Sequence, residues 1–265
     1  MTRVVLIGWG AIGRTVGRLL GDGDHAVEVV GVAVRSADPP REGIPSGARL
    51  ITDPAELAGL TPDVVAEAAG RETVEPWGRA ALTTGADLIV SSVSAFADAE
   101  VLAALRAEAA TSRGTIQIQP GALAGVDALA AARLLGLDTV EHRIVKPPAA
   151  WRDTPADRPG VLDGLGEATV LLDASAAETA ARFPKNANVA MTTALAGLGP
   201  DRTRVVLIAD PDATTNRHEL RVSGAFGELD VRIDNAALPD NPKSSAMAAL
   251  GLARAILNRS STIAI

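Results

Sequence analysis

The run "RVVLIG" at residues 3–8 passes directly into "GWGAIG", which sets Gly8, Gly10 and Gly13 in G-x-G-x-x-G spacing. Few folds accept a buried strand that ends in such a loop and opens a helix. The spacing predicts a helix from about Ala11 to Leu20. Its first N–H groups have no partner inside the helix, and the positive end of the helix dipole lies there, so the turn suits an anion. The three glycines allow a tight turn, close approach of a pyrophosphate, and close helix–strand packing. The pattern by itself is weak in a chain with 25 glycines. Its place after an apolar strand makes Gly8, Gly10, Ala11, Ile12 and Gly13 the expected cradle of a dinucleotide.

The rest of the first half keeps the same rhythm. Strands are predicted at 27–35, 63–69, 87–92 and 115–120, with helices at 73–84 and 97–110. "DPAELAGL" (53–60) starts another helix, with Asp53 as N-cap and Pro54 in the first turn. Strands that are apolar on both faces and alternate with helices imply a parallel sheet covered on both sides. The expectation is an α/β protein with an N-terminal Rossmann dinucleotide-binding domain over residues 1–120.

After about residue 120 the pattern changes. Residues 121–136 read as a helix opening on glycines, 139–146 as a strand, and 147–166 as a long loop rich in Pro, Gly, Asp and Arg. Helix is predicted on both sides of Pro184, and a strand at 203–210. In 216–224 and 227–235 apolar and charged residues alternate, as in an antiparallel pair with one apolar face. A last helix is predicted from Pro242 to Leu257, with Asn241 as N-cap. This gives a C-terminal α+β domain over 121–241, with a mainly antiparallel sheet able to support a dimer. The helical segment 242–265 is expected to pack back onto the first domain.

Composition excludes several function classes. Net charge is −7 and aromatics are 2% of residues, which argues against nucleic acid as a partner. The absence of cysteine removes disulfides, thiolate nucleophiles and Cys-based zinc sites. No apolar run approaches the roughly 18 residues that span a bilayer. The sequence reads as a soluble cytoplasmic protein.

Particular residues then carry the chemistry. The second strand ends "AVRS", with Arg35 and Ser36 where an NAD-specific site has a carboxylate for the ribose 2′-hydroxyl. NADP is therefore expected to be accepted, with NAD still usable; the alternative is that Arg35 only ends a strand in solvent. Of three histidines, His25 lies in a polar turn and His142 mid-strand, where it reads as structural. His218 shares the inward face with Leu220 and Val222, either as a satisfied core group or as a proton-transfer group. In "FPKNANVA", Asn186 and Asn188 are poor helix formers placed in a helix. A helix cap explains one of them, and a demand for amide hydrogen bonds explains both. The chain holds 25 Lys and Arg in all, yet only three lysines, Lys146, Lys185 and Lys243, each beside a proline. A compact ammonium is not interchangeable with a guanidinium.

"GWGAIG", "GALAGVDAL" (121–129), "VKPP" (145–148), "FPKNANVA" (183–190), "NRHELRVSGAFG" (216–227) and "NPKSSAMAAL" (241–250) occur in this order over nearly the whole chain. Together they resemble the L-aspartate dehydrogenase family. That resemblance implies oxidation of L-aspartate at Cα with NAD or NADP. The iminoaspartate formed hydrolyses to oxaloacetate and ammonia or feeds NAD biosynthesis. It implies His218 as the catalytic residue and Ala122 and Asn188 as cofactor contacts. Lys146, Lys185, Lys243 and Asn186 are candidates for the substrate carboxylates, with no metal and a homodimer as the assembly. "GALAG" and "PKSS" depart mildly from the family's usual "GAIGG" and "PKTS", which bears on substrate preference. The competing readings are another NADP-dependent amino-acid dehydrogenase or imine reductase, and a non-catalytic NADP-sensing protein.

Overall fold

The computed structural model describes residues 1–23, 25–38 and 41–264, apart from the side chains of Pro242 and Lys243. The chain divides into two compact units, one made of Met1–Gln119 with Ala248–Ile265, the other of Pro120–Met247.

The first unit starts with β1 (Thr2–Ile7), α1 (Ala11–Gly21), β2 (Val27–Ala33) and β3 (Arg49–Ile51). It continues with β4 (Val64–Glu67), α2 (Arg71–Thr83), β5 (Asp87–Val90), α3 (Ala99–Thr111) and β6 (Ile116–Ile118). The sheet order is β3-β2-β1-β4-β5-β6, with parallel pairing throughout. This is the dinucleotide-binding order, reversing direction beside β1. Val4, Val5, Val64, Val65, Leu88 and Ile89 are fully buried or nearly so, as strands covered on both faces require. Two details differ from the sequence reading. The segment after Asp53 is a 3₁₀ turn rather than an α-helix, although Asp53 and Glu56 form the expected capping box. The short strand β3 carries too little periodicity to be read from sequence.

The second unit holds α4 (Val126–Ala132), β7 (Leu137–Lys146), β8 (Thr169–Ser175), α5 (Ala176–Arg182), α6 (Ala187–Ala196) and β9 (Arg204–Ala209). Then follow β10 (Asn216–Gly224), β11 (Gly227–Asn235), β12 (Ala237–Leu238) and β13 (Asn241–Ser245). Its five-stranded sheet runs β11-β10-β7-β9-β8, antiparallel except for the β7–β9 pair. The β10–β11 hairpin pairs Asn216 with Asn235 and Gly224 with Gly227. His218, Leu220 and Val222 are buried along one face of β10.

Three expectations for this unit are corrected. Residues 121–125 are a turn, because Gly121 and Gly125 take φ values of +65° and +73°, and helix begins only at Val126. The sequence pattern carries no strand between 147 and 203, yet Thr169–Ser175 forms β8, the edge strand paired with β9. Asn241 and Pro242 open a strand rather than a helix. Leu238 pairs with Asn241 and Ala237 with Ser245, and Pro242 is tolerated because this ribbon has only two strands. The helix α7 (Ala246–Leu257) follows, and Ser245 Oγ accepts the Met247 N–H at 3.2 Å in the manner of an N-cap. From Ala248 onward the chain belongs to the first unit, where Arg259 reaches Asp87 at 3.3 Å and Gln117 at 3.1 Å.

Candidate active site

In the first unit the glycine loop is shaped by what each position excludes. Gly8 has φ +96°, and a Cβ there would lie 2.8 Å from the Ala68 carbonyl oxygen. A Cβ on Gly13 would lie 2.1 Å from the Gly8 carbonyl oxygen. Gly10 is the N-cap of α1 and makes no side-chain cap bond, and a Cβ on it would meet nothing within 4 Å. Open space therefore lies over a helix start whose Ala11 and Ile12 N–H groups have no intrahelical acceptor. The cradle fits an anionic pyrophosphate. Arg35, just past β2, is exposed. Ser36 is engaged locally, its Oγ donating to the Asp38 carbonyl at 2.8 Å and accepting the Asp38 N–H at 3.2 Å.

At the end of β4 the structure adds a residue that the sequence reading passed over. Glu67 is fully buried. Its Oε1 accepts from Ala69 N at 2.7 Å, Gly70 N at 2.9 Å and Ser92 Oγ at 2.8 Å, while Oε2 accepts from Ser92 N at 2.9 Å. A buried carboxylate is tolerable when so many donors replace its water. Glu67 thereby ties the turn into α2 to the end of β5. The signal was present in "VVAEAA", where a charge interrupts a strand apolar on both faces.

The second unit assembles a buried polar cluster from three elements. The β7–β10 register pairs His142 with Leu220 and His218 with Ile144, which brings the two imidazoles together diagonally on one face. His142 Nε2 lies 3.1 Å from His218 Nδ1. On the other side, His142 Nδ1 lies 3.0 Å from Thr193 Oγ1 of α6, and Thr193 donates to the Val189 carbonyl at 3.1 Å. His142 and Thr193 are fully buried and His218 is 5% exposed. Burial pulls His142 down to about 3. His218 is pushed well below the ordinary histidine value by burial first, then by His142 and the Lys146 charge. Both rings are therefore neutral near pH 7. The mid-strand His142, read from sequence as structural, is a direct partner of His218.

Lys146 ends β7. Its Nζ donates to Asn186 Oδ1 at 2.5 Å and lies 5.1 Å from the centre of the Trp151 ring. Burial lowers its pKa to about 8. Trp151 is fully buried, donates its indole N–H to the Ile208 carbonyl at 3.0 Å, and meets Phe183 edge-on. Asn186 is buried and occupies the N-cap position of α6, yet its side chain makes no cap bond there. Its amide instead accepts from the lysine. Asn188 is exposed in the first turn of α6. Lys185 is exposed and donates to the Asp153 carbonyl at 2.8 Å, away from the histidines' partners. The side chain of Lys243 lies outside the described residues.

Ala122 is held from behind. Its carbonyl accepts Asn235 Nδ2 at 3.0 Å, and Asn235 Oδ1 accepts Ser245 Oγ at 2.7 Å. Both Asn235 and Ser245 are buried, and neither role was visible in the sequence.

Comparison with known proteins bears on what such an arrangement is for. Residues 127–259 match the family described as aspartate dehydrogenase, C-terminal, and residues 8–119 match the homoserine dehydrogenase NAD-binding domain. The chain is 50% identical over 262 residues to an L-aspartate dehydrogenase of Brucella anthropi, covering 99% of this chain and 98% of that one. The chain belongs to the L-aspartate dehydrogenase family. A second member, from Pseudomonas aeruginosa, is 40% identical with both chains covered in full. The crystal structure of Thermotoga maritima aspartate dehydrogenase superposes with a TM-score of 0.79 at 26% identity, covering 100% of this chain and 99% of that one. The family's nicotinamide cofactor agrees with the cradle built by Gly8, Gly10 and Gly13.

Proposed function

We propose that this chain oxidises L-aspartate at Cα with NADP or NAD, giving iminoaspartate, which water converts to oxaloacetate and ammonia. The observation that carries the reading is the buried His218–His142 pair in a chain of this family. The glycine loop, through Gly8, Gly10, Ala11, Ile12 and Gly13, would hold the pyrophosphate, and Arg35 a 2′-phosphate. Ala122 and Asn188 are assigned to the cofactor by the family resemblance. When bound, the nicotinamide supplies the acceptor for the Cα hydride.

The chain's own groups do the rest. His218, neutral near pH 7, takes a proton from the substrate α-ammonium or from the water that attacks the imine. Lys146 is the cation of the cluster and pairs with a substrate carboxylate, while Asn186 fixes its Nζ. Lys185 and Lys243 are weaker candidates for that role. Trp151 lies beside the half-buried lysine, and the lower local dielectric strengthens the lysine's attraction for an anion. The reading includes a cytoplasmic homodimer without nucleic-acid or membrane partners, and a link to NAD biosynthesis through iminoaspartate. The net charge of −7 speaks against a nucleic-acid partner, and no helix among the described residues is long and apolar enough to cross a membrane, while the homodimer and the NAD-biosynthesis link come from the family resemblance.

Initial rates of nicotinamide reduction test the proposal, with L-aspartate, L-glutamate and L-alanine each offered with NAD and with NADP at alkaline pH. Reduction with L-aspartate alone, lost in His218→Ala, is the expected result. Preference for another amino acid, or no reduction by protein that binds NADPH, would overturn it.

A further inference from the structure

The polar groups behind His218 form a directed chain. Thr193 has one hydroxyl proton and two neighbours, the Val189 carbonyl at 3.1 Å and His142 Nδ1 at 3.0 Å. A carbonyl accepts only, so Thr193 bonds both neighbours when it donates to Val189 and accepts from a protonated His142 Nδ1. His142 is neutral, so its Nε2 then carries a lone pair. The 3.1 Å contact to His218 becomes a hydrogen bond only if His218 Nδ1 holds the proton. The opposite polarity has Thr193 donate to His142 Nδ1. It leaves Thr193 Oγ1 and Val189 O facing each other as two acceptors, and so loses one bond in a fully buried site.

We infer that His142 and Thr193 are positioning residues that lock His218 as its Nδ1–H tautomer, leaving Nε2 as the proton acceptor. The α6 carbonyl of Val189 sets the polarity, and two hydroxyl and imidazole links carry it to the strand pair. In the acid–base step the substrate N–H bond breaks, the proton goes to His218 Nε2, and the Nδ1 proton stays in its bond to His142. The chain ends at a carbonyl that cannot take up a proton, so it orients the base and does not conduct. The inference rests on the dehydrogenase reading only for what the proton transfer is used for.

Removing the hydroxyl reverses the preference. In Thr193→Val the Nδ1 proton of His142 has no acceptor, so it moves to Nε2 and is donated to His218 Nδ1. His218 then carries its own proton on Nε2 and cannot serve as the base. The test is selective ¹⁵N labelling of the histidine rings, of which the chain has three. A His25→Gln variant removes the exposed ring, and long-range ¹⁵N–¹H correlations read each tautomer. The expected result is an Nδ1–H His218 in the wild type and an Nε2–H His218 in Thr193→Val. With it, kcat for L-aspartate drops by about 10²-fold while KM changes by less than about threefold. Thr193→Ser, which restores the hydroxyl, recovers both the tautomer and the rate.

An Nε2–H His218 in the wild type would overturn the inference without any variant. So would a Thr193→Val enzyme that keeps both tautomer and rate. The tautomers are read without turnover. If L-aspartate is not a substrate but the rings show the expected pattern, the orienting chain stands and only the substrate assignment fails.

Discussion

Gly8, Gly10 and Gly13 shape the candidate cofactor cradle from six consecutive positions, and they do it by having no side chain. The cluster around His218 is the reverse case. Its two imidazoles are 76 residues apart in sequence, and Thr193 and Asn186 come from a third stretch of chain. In the first region the backbone is the recognition element, so adding an atom is the damaging change. In the second, side chains buried away from water supply one another's hydrogen bonds, so removing an atom is the damaging change.

The largest effect is expected in the second region. His218→Ala should lower kcat/KM for L-aspartate by about 10³-fold while NADPH binding, followed by fluorescence, stays within about twofold. Equal loss of cofactor binding would mean that the ring supports the fold rather than the reaction.

Next comes a pair of substitutions in the glycine loop. Gly13→Ala places its Cβ 2.1 Å from backbone, which cannot yield cheaply, so thermal unfolding should show a loss of roughly 1–3 kcal/mol together with weaker cofactor binding. Gly10→Ala meets nothing within 4 Å, so the melting temperature should hold while cofactor KM rises about tenfold. If Gly10→Ala proved silent in both assays, the open space over α1 would not be where the pyrophosphate lies.

Acid should act on the second region ahead of the carboxylates. His142 is held down to about 3 and His218 is lowered as well, so the unfolded chain binds more protons than the folded one once pH falls below the ordinary histidine value of 6.5. Stability is then full above pH 6.5 and is lost as pH falls toward 3, at up to about 1.4 kcal/mol per pH unit for each ring. Urea titrations between pH 6.5 and 5 should show this slope, and His142→Gln should reduce it. A flat profile in the wild type would mean that the rings are hydrated.

Asn235→Ala should cost about 1–3 kcal/mol, because it strips the buried Ala122 carbonyl and Ser245 hydroxyl of a shared partner. Cofactor KM should rise only a few-fold, as the loop loosens without losing a residue. The smallest change belongs to Arg35→Ala. Its exposed guanidinium should matter for NADP and not for NAD, giving a roughly fivefold fall in kcat/KM with the former alone.

The first unit was legible because its parallel strands are short apolar runs and its loop is contiguous. What escaped there was the role of Glu67, two of whose donors, the Ser92 N–H and hydroxyl, reach it only when β4 and β5 are neighbours. In the second unit, alternation placed His218 on the inward face correctly, and the same parity in "TVEHRIVK" puts His142 inward with Val140 and Ile144. Parity gives the face of a strand and not its neighbour, so the imidazole pair was invisible until β7 and β10 were seen to be adjacent.

The final helix shows the same limit in local form. "NP" is a fair helix start, yet residues 241–245 form a strand because Leu238 receives Asn241 and Ala237 receives Ser245. The sequence by itself determined where the chain is apolar and where it turns, since these depend on near neighbours, whereas even Gly8 excludes a side chain through Ala68, sixty positions away. Only the tertiary structure decided which strand lies beside which, and hence that Lys146 meets Asn186 and His142 meets His218. Those contacts join residues tens of positions apart, where no local periodicity records the pairing.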